Sequence, residues 1–200
     1  MVPYDGVLET HQPAETRVSA RERILDTAYE LFSRRGIQAV GVNEVIERAG
    51  VATATLYRHF PSKEKLVLAF LDLREQRWTK DLIEAGAMRR GSNPEEQLLA
   101  IFDVLDEWFH RDDFEAGSFI KVLLELGPKH PAGGASVRHL EQLRVIARHL
   151  AEEAGLRDTE SFAHSWHILI QGSIVVAAEG DLEAARRGKS MARQLIDQYR

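Results

Sequence analysis

Between Val51 and Leu66 the sequence runs Val-Ala-Thr-Ala-Thr-Leu-Tyr-Arg-His-Phe-Pro-Ser-Lys-Glu-Lys-Leu. Hydroxyl, aromatic and basic side chains crowd this stretch. Leu56 and Phe60, four apart, share one face of a short helix spanning Thr53 to Phe60 and can anchor it in a core. Thr53, Thr55, Tyr57, Arg58 and His59 are then left outside. Such a face suits a nucleic-acid duplex. Hydroxyl and phenol groups bond phosphates or base edges, threonine methyls meet thymine methyls, and arginine pairs with phosphate or guanine.

Two other constellations invite chemistry. Glu107-Trp-Phe-His110 has the Glu-x-x-His spacing of di-iron helical bundles, but such a centre needs a second copy and two further glutamates, and the chain has only this one. Asp103, Glu107 and His110 fall on one helical side, opposite Leu98, Ile101, Phe102, Leu105, Trp108 and Phe109, so a solvated face is expected. No metal site, cofactor or catalytic group is assigned. His164 and His167 share a side with Gln171 and Val175 on an otherwise apolar helix, where buried polar groups need partners. They can bond a ligand, pair across a dimer or satisfy nearby backbone.

The elements that position the 51–66 stretch are readable from periodicity. Ile24, Leu25, Ala28, Leu31 and Phe32 recur at helical spacing from Arg21 to Arg34, and Arg35-Gly36 ends that helix. Asn43 can cap a second helix through Ala49, with Val45, Ile46 and Ala49 inward, before Gly50 breaks it. Glycine can take the left-handed conformation of a tight interhelical turn, and Val51 can plug the corner. Helix, glycine turn, helix is a helix-turn-helix.

At these residues, from Arg21 to Leu71, the chain resembles the tetracycline-repressor (TetR) family of bacterial transcription regulators. The resemblance rests on Thr55-Leu-Tyr-Arg-His-Phe60 followed by a short polar turn and the helix start Lys63-Glu-Lys-Leu66. It implies that Tyr57, His59 and Lys63 contact phosphates while Asn43, Thr53, Ala54 and Thr55 lie close to base edges; Arg58 joins them by its chemistry. The family often has serine where this chain has Ala52. The cap is therefore expected at Thr53, which would be less free to read a base.

Charge is distributed accordingly. The chain is net −5, yet residues 15–65 carry nine Lys or Arg against seven Asp or Glu, whereas residues 66–200 carry 17 against 22. An acidic body discourages indiscriminate adhesion to nucleic acid. The absence of cysteine excludes disulfides and thiolate chemistry and fits a reducing cytoplasm, the expected location. The start of the chain lacks a signal-peptide pattern, and the longest apolar stretch, Ile168 to Ala178, is interrupted by Gln171 and too short for a membrane span.

Residues 1–18, with Pro3, Gly6 and Pro13, are expected to be a flexible arm whose end, Arg17 with Arg21 and Arg23, can touch the backbone or minor groove or simply begin a solvated helix. Residues 19–65 form the helix-turn-helix domain and 66–200 a helical body for ligand binding and dimerisation, giving an all-α fold. Pro61-Ser62 caps a fourth helix from Lys63 to about Ile83 or beyond. Gly91-Ser-Asn-Pro94 is a break, after which a fifth helix runs to about Arg111, and a sixth begins near Gly117 and ends at Gly127-Pro128. A loop over Lys129 to Ser136 precedes helices Val137 to Glu153, Thr159 to Glu179, and a ninth ending near Tyr199.

The eighth helix is apolar nearly all round from Ile168 to Ala178, and the ninth carries a stripe of Ala184, Ala185, Met191, Ala192, Leu195, Ile196 and Tyr199. Gly172, Ile174, Val175, Leu195, Ile196 and Tyr199 are therefore expected at a homodimer interface, with Gly172 and Ser173 permitting close helix approach. Phe102, Phe119, Trp166, His167 and Gln171 are the candidates for a small-molecule cavity, the effector being unidentified. The family resemblance implies that such a ligand shifts the fourth helix and releases a palindromic double-stranded DNA operator. The alternative is a helical ligand-binding or catalytic body with a vestigial DNA-binding head.

Overall fold

Capping chemistry and apolar stripes set ten α-helices, and no strand, in the computed structural model, which describes residues 18–115 and 117–200. The expected arm, apart from Val18, lies outside the described residues, as does Arg17. Helix α1 (Ala20–Arg35) opens with a capping box: the Glu22 amide donates to Ser19 Oγ (3.1 Å) while the Ser19 amide donates to Glu22 Oε2 (2.8 Å). Those bonds hold the Glu22 carboxyl below its usual pKa. Helices α2 (Val42–Ala49) and α3 (Thr53–His59) pack on its buried stripe of Ile24, Leu25, Ala28, Leu31 and Phe32.

A single helical rod then leaves the head. It begins as α4 (Lys63–Arg74), capped by Ser62 as expected, widens into a π-helical segment (Glu75–Glu84) and ends as α5 (Ala85–Arg90). Periodicity carries the rod to about Ile83 or beyond but does not show the π widening, because i→i+5 hydrogen bonding leaves no signature over so few residues. Phe70 fixes the rod to α1 through edge contacts with Tyr29 and Phe32, at centroid separations of 5.6 and 5.5 Å.

The body comprises α6 (Pro94–Phe109), α7 (Ser118–Leu126), α8 (Pro131–Glu153), α9 (Thr159–Ala178) and α10 (Ala184–Tyr199). Asn93 caps α6 with Pro94 in the first turn. The expected loop over 129–136 is instead the start of α8, with His130 as N-cap and Pro131 in the first turn. Gly133 and Gly134 hide this start by lowering helix propensity. At Gly133 glycine is demanded by packing, since a Cβ there would strike the Gly127 backbone.

The α6 face read as solvated is exposed at Glu107 and His110, and its acids also pair with neighbouring helices. Lys189 Nζ reaches both Asp103 oxygens (2.5 and 2.6 Å), Arg186 reaches Asp106 (3.3 Å) and Arg90 reaches Glu107 (2.6 Å). Exposed pairs of this kind contribute at most about 1 kcal/mol each. The Lys189 and Arg186 pairs orient α10, and the Arg90 pair orients α5, more than they stabilise them. Close approach of α9 and α10 is made within the chain by Ser173 and Gly188, where a Cβ would press on Ser173 Oγ and the Phe102 ring.

His167 faces the interior of this bundle near Arg144. Burial first, and then the Arg144 and His164 charges, push its pKa from 6.5 down to about 4. A histidine with a depressed folded pKa contributes its stability above pH 6.5 and loses it as pH falls toward 4, because only the unfolded chain takes up the proton in that window. Urea unfolding at pH 7 and pH 4.5 should therefore show His167→Gln losing less stability on acidification than the native chain. Equal losses in the two would contradict this.

Candidate nucleic-acid interface

The presentation of α3 depends first on backbone geometry at the turn before it. Gly50 sits in the left-handed region (φ 62°, ψ 43°); its amide bonds Glu47 O and the Val51 amide bonds Ile46 O. This is a Schellman ending, and its usual apolar contact is available because Val51 and Ile46 both pack partly buried against the core. Arg23 Nε donates to the Ala49 carbonyl (3.4 Å), so α1 also holds the exit of α2. Any residue but glycine at 50 would be strained there.

Leu56 (1% exposed) and Phe60 (3%) then seat α3 in the head. Arg21 lies over the Phe60 ring at 5.3 Å. On the outer side Thr53, Ala54, Tyr57 and Arg58 are exposed, and Thr55, His59 and Lys63 are half-buried beside them. Asn43 is exposed on α2. It lies inside the first turn and not at the cap, which is Gly41 with no side-chain bond.

A second correction concerns Thr53. The N-cap of α3 is Ala52, which has no side-chain bond to offer, so the Thr53 hydroxyl is not spent on capping and stays on the outer face. The head's side-chain bonds are made elsewhere: Arg35 and Arg48 to Glu44, Arg23 to Ala49 O, Ser62 to the Lys65 amide. Among the described residues, the polar face of α3 is not engaged within the chain.

The body holds the head by contacts that no local sequence pattern announces. Glu125, at the end of α7, accepts hydrogen bonds from the Ile37 (3.0 Å) and Gln38 (3.2 Å) amides in the α1–α2 loop, and Gln38 Nε2 donates to Glu125 O (3.1 Å). Gly36 (φ 84°) lies against that carboxylate and leaves no room for a Cβ. His139 of α8 stacks on Phe119 (5.1 Å) and faces Asp72 (3.6 Å) and Glu75 (3.2 Å) of the rod.

The cavity residues expected in the body are not brought together. Phe102 and Trp166 are 1% and 0% exposed and pack edge to face at 5.3 Å, with Phe162 stacked on the other side of Trp166. They are core. Phe119 and Gln171 do meet, with Ile120, Leu140 and Ile174, around a cleft of about 10 Å³, room for a single water. His167 lies apart from it. A larger chamber, about 440 Å³, opens between α1 and the π segment, with Tyr29, Ser33, Arg34, Trp78, Leu82 and Trp108 among its walls.

The expected interface residues also divide. Ile174 and Ile196 are each 2% exposed and belong to the chain's own core, and the Tyr199 hydroxyl bonds Ser161 Oγ (2.9 Å). What faces outward is Ile168, Gly172, Val175 and Val176 on α9 and Met191 on α10, with Leu195 half-buried between them. A helix apolar all round must still choose which side faces its own core, and periodicity alone does not make that choice. Among the described residues no group of three or more His, Asp or Glu converges as a metal site, and no helix is long and apolar enough to cross a membrane.

Comparison with known proteins agrees with this geometry. Residues 24–70 match the family described as bacterial regulatory proteins, tetR family. Over 92 residues the chain is 38% identical to the transcriptional repressor KstR of Rhodococcus jostii, covering 46% of this chain and 42% of that protein. Over 98 residues it is 34% identical to the transcriptional activator FasR of Mycolicibacterium smegmatis, covering 48% and 43%. The chain thus spans less than half the length of these curated relatives. The crystal structure of SCO4454, a TetR-family transcriptional regulator from Streptomyces coelicolor, superposes with a TM-score of 0.82 at 25% identity, covering 90% of this chain and 95% of that one. The glycine-turned head, residues 24–70, belongs to the tetR family of bacterial regulatory proteins, and the helical body behind it has the fold of a TetR-family transcriptional regulator.

Proposed function

We propose that the chain is a homodimeric, sequence-specific DNA-binding regulator, a repressor released from a palindromic operator by a small molecule. The observation that carries this is the unengaged polar face of α3, held outward on a fixed turn. Tyr57, His59, Lys63 and Arg58 are positioned to meet phosphates. Thr53, Ala54 and Thr55, with Asn43 from the neighbouring helix, are the candidates for base edges. The unspent Thr53 hydroxyl favours its use in readout. Residues 19–65 act as the DNA-binding head and 66–200 as the ligand-binding and dimerisation body, with the boundary inside the first turn of α4.

Dimerisation is supported by the outer side of α9 and α10. Ile168 is 69% exposed, Met191 55% and Val175 47%, an apolar strip that isolated surface residues do not explain. Ile168, Leu169, Met191 and Leu195 line one shallow groove, rimmed by Ser165, Gln194 and Gln198. Nothing lies within 4 Å of where a Gly172 Cβ would stand, so a second copy can approach closely there. Two such pairs of helices close a four-helix bundle and set two α3 helices on successive major grooves, about 34–36 Å apart.

Release by a ligand needs a mechanical route from body to head. Two are built in: the continuous rod from Lys63 to Arg90, and Glu125 of α7 on the Ile37 and Gln38 amides. A ligand that favours the non-binding arrangement by about 1–3 kcal/mol suffices to change operator occupancy 5- to 150-fold.

Selection of bound duplexes from a random pool is expected to enrich a palindrome with the native chain. Tyr57→Ala should lose that enrichment while its thermal unfolding stays within about 0.5 kcal/mol of native, as befits an exposed site. A variant that still selects the same sequence would remove α3 from the reading. Ile168→Glu should convert the dimer to a monomer in sedimentation and lower operator affinity with it. A dimer that survives that substitution would place the interface elsewhere.

A further inference from the structure

The far end of the rod meets the body around a slot that the DNA-binding reading does not use. It lies between the last π turn and α5 on one side and α6 and α8 on the other, and it encloses about 120 Å³. Ala87 and Leu150, both buried, and the partly buried Ile146 give it apolar walls. Met88, 60% exposed, stands at its edge.

The charge around this slot is of one sign. Glu84 and Glu153 line it, and among the described residues no lysine or arginine does. The half-buried Glu84 carboxylate has no ion pair or hydrogen bond among the described residues. Glu153 meets His149 one turn back on α8, at 3.5 Å with both side chains exposed, and an imidazole neutralises a carboxylate only when it is protonated. Gln97 is neutral and already donates to the Gly91 carbonyl (3.3 Å). Both carboxylates keep contact with solvent and so can be reached by a ligand. A cation beside them gains Coulomb energy and an anion of the same size is repelled, while a neutral molecule gains only the apolar area it covers.

We propose that this slot binds a monoammonium compound with a compact hydrocarbon part, the hydrocarbon lying on Ala87, Ile146, Leu150 and Met88 and the ammonium met by Glu84 and Glu153. An apolar cavity of about 150 Å³ holds a benzene ring, so a slot of about 120 Å³ sets the hydrocarbon at roughly four to six carbons. The walls belong to the rod and to α8, and the same two elements face each other at the head end. There His130 lies opposite Glu64 (3.8 Å) and His139 opposite Asp72 (3.6 Å) and Glu75 (3.2 Å). An occupant of the slot therefore bears on the seam that carries the head. The site names a chemical class for the small molecule in the reading above and rests on that reading for its regulatory meaning. Its occupancy is measured without DNA, so failure of operator binding and failure of this site are distinguishable.

The test is calorimetric titration of the full native chain at pH 8, where an alkylamine is still protonated. Pentylamine and benzylamine are the ligands. Pentanol and pentanoate are the neutral and anionic counterparts, and methylamine is the cation without a hydrocarbon. The expected result is saturable binding of at least one of the two amines in the millimolar range, with all three counterparts clearly weaker. Glu84→Gln should weaken it about fivefold, the upper measure of an exposed ion pair. Met88→Ala should weaken it too, at an exposed position where substitution leaves the fold intact. Asp81→Asn, in the chamber beside the π segment, should leave it unchanged. The proposal is overturned by no saturable amine binding, by methylamine or pentanoate binding as tightly as pentylamine, by affinity unchanged in either Glu84→Gln or Met88→Ala, or by affinity lost in Asp81→Asn in place of Glu84→Gln.

Discussion

One buried charge organises the seam between the two halves of this molecule. The Arg74 side chain is 6% exposed, and such a charge persists only where it is paired and its donors are met, since losing the partner of a buried ion typically costs about 3–5 kcal/mol. Glu115 pairs with it, and Ser118 Oγ donates to Glu115. Arg74 Nη1 donates to Tyr29 Oη (2.9 Å), and the rings of Tyr29, Trp78 and Trp108 surround the guanidinium at 5.6 to 5.9 Å. Those partners come from α1, the π segment, α6, the α6–α7 connection and α7. Satisfying one guanidinium thus ties the head to the body through five pieces of chain.

What the seam carries is simple in comparison. The head is a small core with one short helix turned outward by a glycine, and in the proposed dimer specificity comes from duplication, not from size. Seven residues read too little DNA alone. Two copies at a fixed separation would read enough, and the rod and the Glu125 contact are what hold each head to its own body. The proposed dimer requires a rigid connection, and the aromatic packing and ion pairing at the junction supply one.

The fold was legible in the sequence wherever local chemistry decides it. Gly50 and Val51 announce their turn, Leu56 and Phe60 their anchoring face, Ser62 its cap and Gly91 to Pro94 the break before α6. The Ser19-x-x-Glu22 box carried the same kind of signal and marks the start of α1 a residue earlier than periodicity does. Where distant packing decides, the sequence was mute. The start of α8 is obscured by glycines whose reason is the Gly127 backbone. Ile174 and Ile196 are as apolar as Ile168 and Val175, and only the tertiary arrangement turns the first pair in and the second pair out. Phe102 and Trp166 have the composition of a ligand cavity but fill one another's space, and the chamber that does exist is assembled from residues separated by about half the chain.

The most direct measurement is the salt dependence of affinity for the selected duplex, compared between the native chain and Lys63→Ala. Each cation that neutralises a phosphate contributes about one to the slope of log affinity against log salt. If the face that α3 and the start of α4 turn outward lies on the DNA backbone, Lys63→Ala lowers the slope by about one per subunit and weakens binding to all sequences alike. An unchanged slope would contradict it and move the duplex to another surface of the molecule.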